Sequence, residues 1–109
     1  SEQENKFSGQ HILVVEDHPI NQEVAREQLE KLGLKVTIAS DGSQAVQQVL
    51  SGKFDLVLMD IQMPIMDGYK AARAIRQFDK KIPIIALTAA ALVEDREKAL
   101  AAGMNDHLG

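Results

Sequence analysis

The sequence predicts an α/β domain in which a parallel sheet carries helices on both faces. Three observations support this. Short apolar runs alternate with helix-period segments four times along the chain, and the connections between them are short. The runs Ile12-Leu13-Val14-Val15 and Leu56-Val57-Leu58-Met59 have no polar alternation, the pattern of strands covered on both sides. Each of these runs stops abruptly at a carboxylate. With 109 residues the chain supports one hydrophobic core.

Residues 1 to 10 are polar and read as a linker or disordered terminus, so the folded domain is expected over residues 11 to 109. A first strand follows His11 and ends at Glu16-Asp17. Pro19 then suits the first turn of a helix, where its absent N–H costs nothing. Ile20, Val24, Ala25, Leu29 and Leu32 form one helical face, and Gly33 ends the helix. The stretch Lys35 to Ala39 alternates apolar Val36 and Ile38 with polar Lys35 and Thr37, which predicts an edge strand.

Asp41-Gly42 opens a short helix carrying Ala45, Val46, Val49 and Leu50, and Ser51-Gly52 stops it. The central run ends at Asp60, and Met63-Pro64 with Asp67-Gly68 cannot prolong it. Asp67 can cap a third helix running to about Phe78, with Ala71, Ala72, Ile75 and Phe78 inward. Ile82 to Leu87 is a fourth strand leading into Thr88. An alanine-rich helix from Leu92 to Ala102 closes at Gly103, and Asp106-His107-Leu108 starts a fifth strand.

Bulk properties narrow the function. The absence of cysteine excludes disulfides, thiolate metal sites and cysteine nucleophiles. A net charge of −4 disfavours direct contact with nucleic acid, because the long-range field repels phosphate backbones. No apolar run reaches the roughly 18 residues of a membrane span, so no direct membrane contact is expected. The expected setting is cytoplasmic, including the cytosolic part of a membrane-anchored protein.

Glu16, Asp17 and Asp60 fall at the carboxyl ends of two apolar strands, where open α/β sheets place ligand sites. If those strands are neighbours, three like charges meet and call for a cation. A hard ion with oxygen ligands fits, and Mg²⁺ is favoured because it works with one or two carboxylates plus phosphate. A carboxylate there can act as a nucleophile toward phosphorus. Thr88, at the end of the next strand, offers a hydroxyl to a phosphoryl oxygen.

Taken together, Glu16-Asp17, Asp60 with Met63-Pro64-Ile65-Met66-Asp67-Gly68, and Thr88-Ala89 resemble the receiver domain of two-component response regulators. The resemblance covers residues 11 to 109. It implies a flavodoxin-like fold with strand order 2-1-3-4-5. It also implies that Asp60 accepts a phosphoryl group from a phosphohistidine of a sensor histidine kinase or a histidine phosphotransfer domain. Asp17 and Asp60 match the Mg²⁺ carboxylates, the Gln62 carbonyl matches a third ligand, and Glu16 assists through water. Thr88 matches the switch hydroxyl, and His107 stands where the family often has an aromatic switch residue. The family's lysine would follow directly after Gly109, so the domain is expected to be truncated in or after the fifth strand and to lack the fifth helix. The wording of the motifs resembles receivers of hybrid sensor histidine kinases. The face of the fourth helix, fifth strand and fifth helix often mediates dimerisation in this family, and although it is expected to be incomplete here, a homodimer is a further expectation.

Two other functions compete. An aspartyl-phosphate phosphatase needs a second acid two residues after its nucleophile, where this chain has Gln62, so slow release of phosphate is expected. A pseudo-receiver, binding partners without phosphate, fits the absent lysine but not the intact acids. Whether the domain counts as an enzyme is open, since it would only assist its own phosphorylation and dephosphorylation. Other residues have plainer readings. Asp67 is a helix cap, His18 a solvated loop residue and His11 the start of a strand. Met59, Met63 and Met66 are packing residues, because thioethers are poor ligands for a hard cation.

Overall fold

The structure is a computed structural model that describes residues 9–60, 68–87 and 100–108. Five parallel strands form one sheet: β1 His11–Val15, β2 Lys35–Ala39, β3 Leu56–Asp60, β4 Ile84–Leu87 and β5 Asp106–Leu108. Their order is β2-β1-β3-β4-β5. The half-polar β2 is therefore an edge, as its alternation predicts. Helices α1 Pro19–Lys31, α2 Gly42–Ser51 and α3 Gly68–Arg76 fill the crossovers between strands.

One face of the sheet is closed. Leu13, Val15, Ala39, Val57, Met59, Ile84 and Ala86 point to the same side and pack with Ala45 and Val49 of α2 and Ala71, Ala72 and Ile75 of α3. Burial of one such large side chain contributes about 1.5–3 kcal/mol, so this layer is the main source of stability. The period of two does the sorting, because Leu13 and Val15 share a face that Ile12 and Val14 cannot reach. Ile12 and Val14 are also buried, on the side of α1, which packs against β1 and β2.

Local chemistry sets the helix ends. In α2 the Asp41 carboxylate accepts the Gln44 N–H at 2.8 Å, and the Gln44 amide oxygen reaches back to accept the Ser40 N–H at 2.8 Å. Two otherwise unpaired donors are satisfied reciprocally. α1 ends in a left-handed Gly33 (φ 88°), with Leu34 N–H donating to Leu29 O and Gly33 N–H to Glu30 O.

Four expectations need correction. Phe78 is 42% exposed rather than inward, because α3 ends at Arg76 and the bonds Gln77 N–H to Ala74 O and Phe78 N–H to Ile75 O tighten the exit. Leu50 is 61% exposed, since α2 turns only Gly42, Ala45 and Val49 fully inward. Helix α1 has no fully buried residue. Ala25 and Leu29 are half-covered, whereas Ile20, Val24 and Leu32 of its apolar face lie open. Finally, β3 is covered unevenly: Val57 and Met59 are fully buried, while Leu56 and Leu58 on its other face are only half-buried. Among the described residues, the apolar surface on the α1 side exceeds what α1 spans.

The connection into β5 is clamped. Arg76, the last residue of α3, donates from Nε to Gly103 O at 2.8 Å, from Nη1 to Asp79 O at 3.1 Å and from Nη2 to Asn105 Oδ1 at 2.9 Å. Asn105 Oδ1 also accepts the Ile84 N–H, and Asn105 N–H donates to Ile84 O, both at 2.7 Å. One guanidinium thus joins α3 to the turn that feeds β5 beside β4. A neighbouring carboxylate, Asp79, accepts the N–H groups of Lys81 and Ile82, and these bonds hold it below the usual carboxylate range.

Gly103 sits at φ 100°, and a Cβ there would come within 2.7 Å of Arg76 Cγ. Gly103→Ala should therefore lower the free energy of unfolding by more than about 1 kcal/mol, read from urea denaturation, because backbone strain adds to displacement of the guanidinium. Wild-type stability in that variant would remove the clamp as a structural determinant.

Candidate functional site

The parallel register builds the site. Val15 pairs with Met59 across β1 and β3, so the next residues on each strand, Glu16 and Asp60, arrive level at the carboxyl edge of the sheet. One carboxylate oxygen from each of Glu16, Asp17 and Asp60 lies within 4.8 Å of the others. The sequence expectation that these three acids meet is thus met in space. Glu16 and Asp60 are half-buried and Asp17 is exposed.

Backbone contacts hold the turn that carries the acids. Glu16 N–H donates to Ala39 O at 3.0 Å, which ties the turn to the end of β2. The Glu16 carbonyl accepts the side-chain amide of Gln22 at 2.6 Å, and that amide nitrogen also lies 3.5 Å from Ser40 Oγ. Glu16 Oε2 accepts the His18 N–H at 3.0 Å. His18 itself is exposed at the start of α1, as a solvated loop residue should be. Sequence reading missed Gln22. Its only sequence signal is a place in the first turns of α1, and nothing in its spacing points back to Glu16.

Acids this close together would be relieved by a cation. Burial pushes the Glu16 carboxyl above its ordinary range, and the neighbouring Asp17 and Asp60 carboxyls push it further, against the opposing His18 N–H. Among the described residues the cluster offers three carboxylate oxygens, and hard divalent ions prefer oxygen. The residues present therefore fit Mg²⁺.

Other expected site residues are placed only in part. Gln62, Thr88, Met63, Met66 and Asp67 lie outside the described residues. His107 is described by its backbone alone, which pairs with Ala86 in the β4–β5 ladder. Met59 is fully buried in the core, as the packing reading requires. His11 does more than begin a strand: its ring packs on Phe54 at 4.5 Å and its Nε2 lies 2.6 Å from Thr37 Oγ1.

The family model for the response regulator receiver domain matches residues 12–109. The chain belongs to that family. A receiver-domain structure from the sensor histidine kinase PA1611 of Pseudomonas aeruginosa is 50% identical, with a TM-score of 0.86 over 94% of this chain and 85% of that one. That receiver holds a magnesium ion coordinated in its active-site cleft. The receiver domain of Ssk1 from Saccharomyces cerevisiae, solved with the histidine phosphotransfer protein Ypd1, is 35% identical. Its TM-score is 0.87 over 94% of this chain and 79% of that chain. Among curated proteins, the sensor histidine kinase RcsC of Escherichia coli is 42% identical over 97 residues. The match takes in 89% of this chain but only 10% of RcsC, so the receiver spans about a tenth of that relative's length.

Burial of the Glu16 carboxyl, reinforced by its acidic neighbours, predicts the behaviour of the metal-free receiver. A raised Glu16 pKa means that the folded state binds its proton more tightly than the unfolded chain does. The fold is therefore favoured below the usual glutamate range, and that advantage is lost as the pH rises through the folded pKa. Without divalent ions, Glu16→Gln should raise Tm at neutral pH, and the gain should vanish in acid. A Glu16→Gln protein that melts below wild type at neutral pH would contradict this account.

Proposed function

We propose that this receiver takes a phosphoryl group onto Asp60 from the phosphohistidine of a sensor kinase or a histidine phosphotransfer domain, and that the modified state changes which partners it binds. The convergence of Glu16, Asp17 and Asp60 at one edge of the sheet carries the reading. Asp17 and Asp60 would hold Mg²⁺ with their carboxylates, Gln62 with its carbonyl and Glu16 through water. When bound, the ion neutralises charge on the transferring phosphoryl oxygens. An Asp60 carboxylate oxygen forms the new bond to phosphorus while the P–N bond breaks. Its electron pair returns to an imidazole protonated on the other nitrogen. Thr88 donates its hydroxyl to a phosphoryl oxygen, and His107 follows the change from β5. The magnesium in the PA1611 receiver supports the ion assignment. A cytoplasmic setting agrees with a donor kinase there, and no described helix is long and apolar enough to cross a membrane.

Incubation with Mg²⁺ and acetyl phosphate, followed by intact-mass analysis, tests the assignment. One phosphoryl adduct is expected in wild type and none in Asp60→Asn or in EDTA. Wild type that never gains the adduct would leave the phosphate-independent interaction module as the better reading, and rapid turnover of the donor would favour a phosphatase.

The surface beside the acids supports a protein donor. Ile20 is 67% exposed in the first turn of α1, three residues after Asp17, and Val24 is 48% exposed one turn later. A cavity of about 180 Å³ borders Val24, lined by Val14, Glu16, Asn21, Val24, Ala25 and Gln28. An apolar helical face meeting the acidic edge suits a phosphohistidine-bearing helix, and the Ssk1 receiver was solved with a histidine phosphotransfer protein. Ile20→Asp should slow transfer from a phosphorylated histidine phosphotransfer protein by about tenfold, the worth of roughly 1.4 kcal/mol of contact. Labelling by acetyl phosphate should be unchanged. Equal loss with both donors would place Ile20 in the chemistry and not in docking.

A further inference from the structure

We infer that Gln22 is a positioning residue for the divalent ion, acting through the peptide that joins Glu16 to Asp17. The inference rests on the reading of Glu16, Asp17 and Asp60 as a Mg²⁺ site. Gln22 touches none of the three carboxylates in the contacts described above. Its amide N–H instead donates to the Glu16 carbonyl oxygen at 2.6 Å in a partly buried setting. That carbonyl belongs to the same planar peptide unit as the Asp17 N–H. Fixing its direction therefore fixes ψ of Glu16 and φ of Asp17 together, and with them the direction in which the Asp17 side chain leaves the backbone.

The other end of the residue is fixed independently. Glu16 N–H is held by Ala39 O, the end of β2, at 3.0 Å. Without the Gln22 side chain, the described contacts would anchor the turn before Glu16 through β2 and after it through His18, leaving the Glu16 carbonyl itself unheld. The peptide between the two acids could then rotate. The amide nitrogen also lies 3.5 Å from Ser40 Oγ, so Gln22 ties the acidic turn of β1 to the residue that follows β2. Gln22 is itself well placed to be rigid, because its own N–H makes the first helical bond of α1, to His18 O at 3.0 Å.

The chemistry of the ion makes this rotation costly. Mg²⁺ demands near-ideal octahedral geometry, whereas Ca²⁺ accepts more ligands over a looser range of positions. Groups that orient metal ligands without touching the metal typically govern affinity by about 10–100-fold. Gln22 should therefore support Mg²⁺ more strongly than Ca²⁺. A residue that only stiffened the loop for folding would leave the preference between the two ions unchanged.

Calorimetric titration of the receiver with MgCl₂ and with CaCl₂ separates the cases. In Gln22→Met, which keeps the length of the side chain and removes the donor, Mg²⁺ affinity should fall about tenfold. Ca²⁺ affinity should fall less, so the ratio of the two narrows. If Gln22→Met does not fold, Gln22→Asn withdraws the donor by one methylene while staying polar, and the same narrowing is expected. Affinities that are unchanged, or that weaken equally for both ions, overturn the inference. Mg²⁺ binding that is lost in Asp60→Asn but untouched in Gln22→Met overturns it while leaving the ion site standing. Wild type that binds no Mg²⁺ overturns both.

Discussion

Repulsion among Glu16, Asp17 and Asp60 is the constraint around which this receiver is built. Near a protein surface, two unit charges about 4 Å apart interact by roughly 4 kcal/mol at an effective dielectric constant of 20. Asp17 is exposed and Glu16 and Asp60 are half-buried, so solvent screens much of that repulsion, but against a net stability of about 5–15 kcal/mol the remainder still counts. The offset lies directly beneath the acids. Leu13, Val15, Val57 and Met59 are fully buried on the two strands that end in Glu16 and Asp60. The same strands therefore hold the sheet together and bring the charges into contact. A cation at the site would relieve the repulsion without changing the core.

Because the site depends on register, the opposite end of the sheet matters as well. A slip of one residue would turn Asp60 to the wrong face and bury Leu58 in place of Met59. Pairing at the amino edge opposes such a slip. Asp55 N–H donates to His11 O at 2.8 Å, and the Asp55 carboxylate accepts the His11 N–H at 2.8 Å. Lys35 N–H donates to Gln10 O, while His11 reaches sideways to Thr37 on β2. The alignment of β2, β1 and β3 is thus fixed far from the acids that depend on it.

What could be read in the sequence was whatever obeys a period or a chain end. The apolar runs stop at Glu16 and Asp60, and parallel neighbours necessarily bring those stops together. The alternation in β2 marked the edge because Lys35 and Thr37 have no apolar reason to be there. Phe78 and Leu50 misled because a helical face extends beyond the residues that are actually covered: the backbone leaves α3 at Arg76, and α2 turns only three residues fully inward. Arg76 and Gln22 gave no signal, since a guanidinium reaching Gly103 and an amide reaching Glu16 are contacts between side chain and backbone that recur at no period. Gln62 and Thr88 lie outside the described residues, so their matches rest on the motif alone.

The two faces of the sheet divide the work. On one side α2 and α3 close a dense core, and Arg76 extends that rigidity to the start of β5. On the other side Leu56 and Leu58 are half-exposed, and α1 presents Ile20 and Val24 outward. Asp60 stands on the boundary, belonging to the half-covered set of β3 while its neighbour Met59 anchors the closed core. Under the proposed function, phosphorylation would add about one unit of negative charge at that boundary. A closed core offers few alternative packings, since its side chains already interdigitate at crystal-like density. The loosely covered face and the turns at the carboxyl edge can shift at lower cost, so they are where a change at Asp60 can become a change in what the receiver binds.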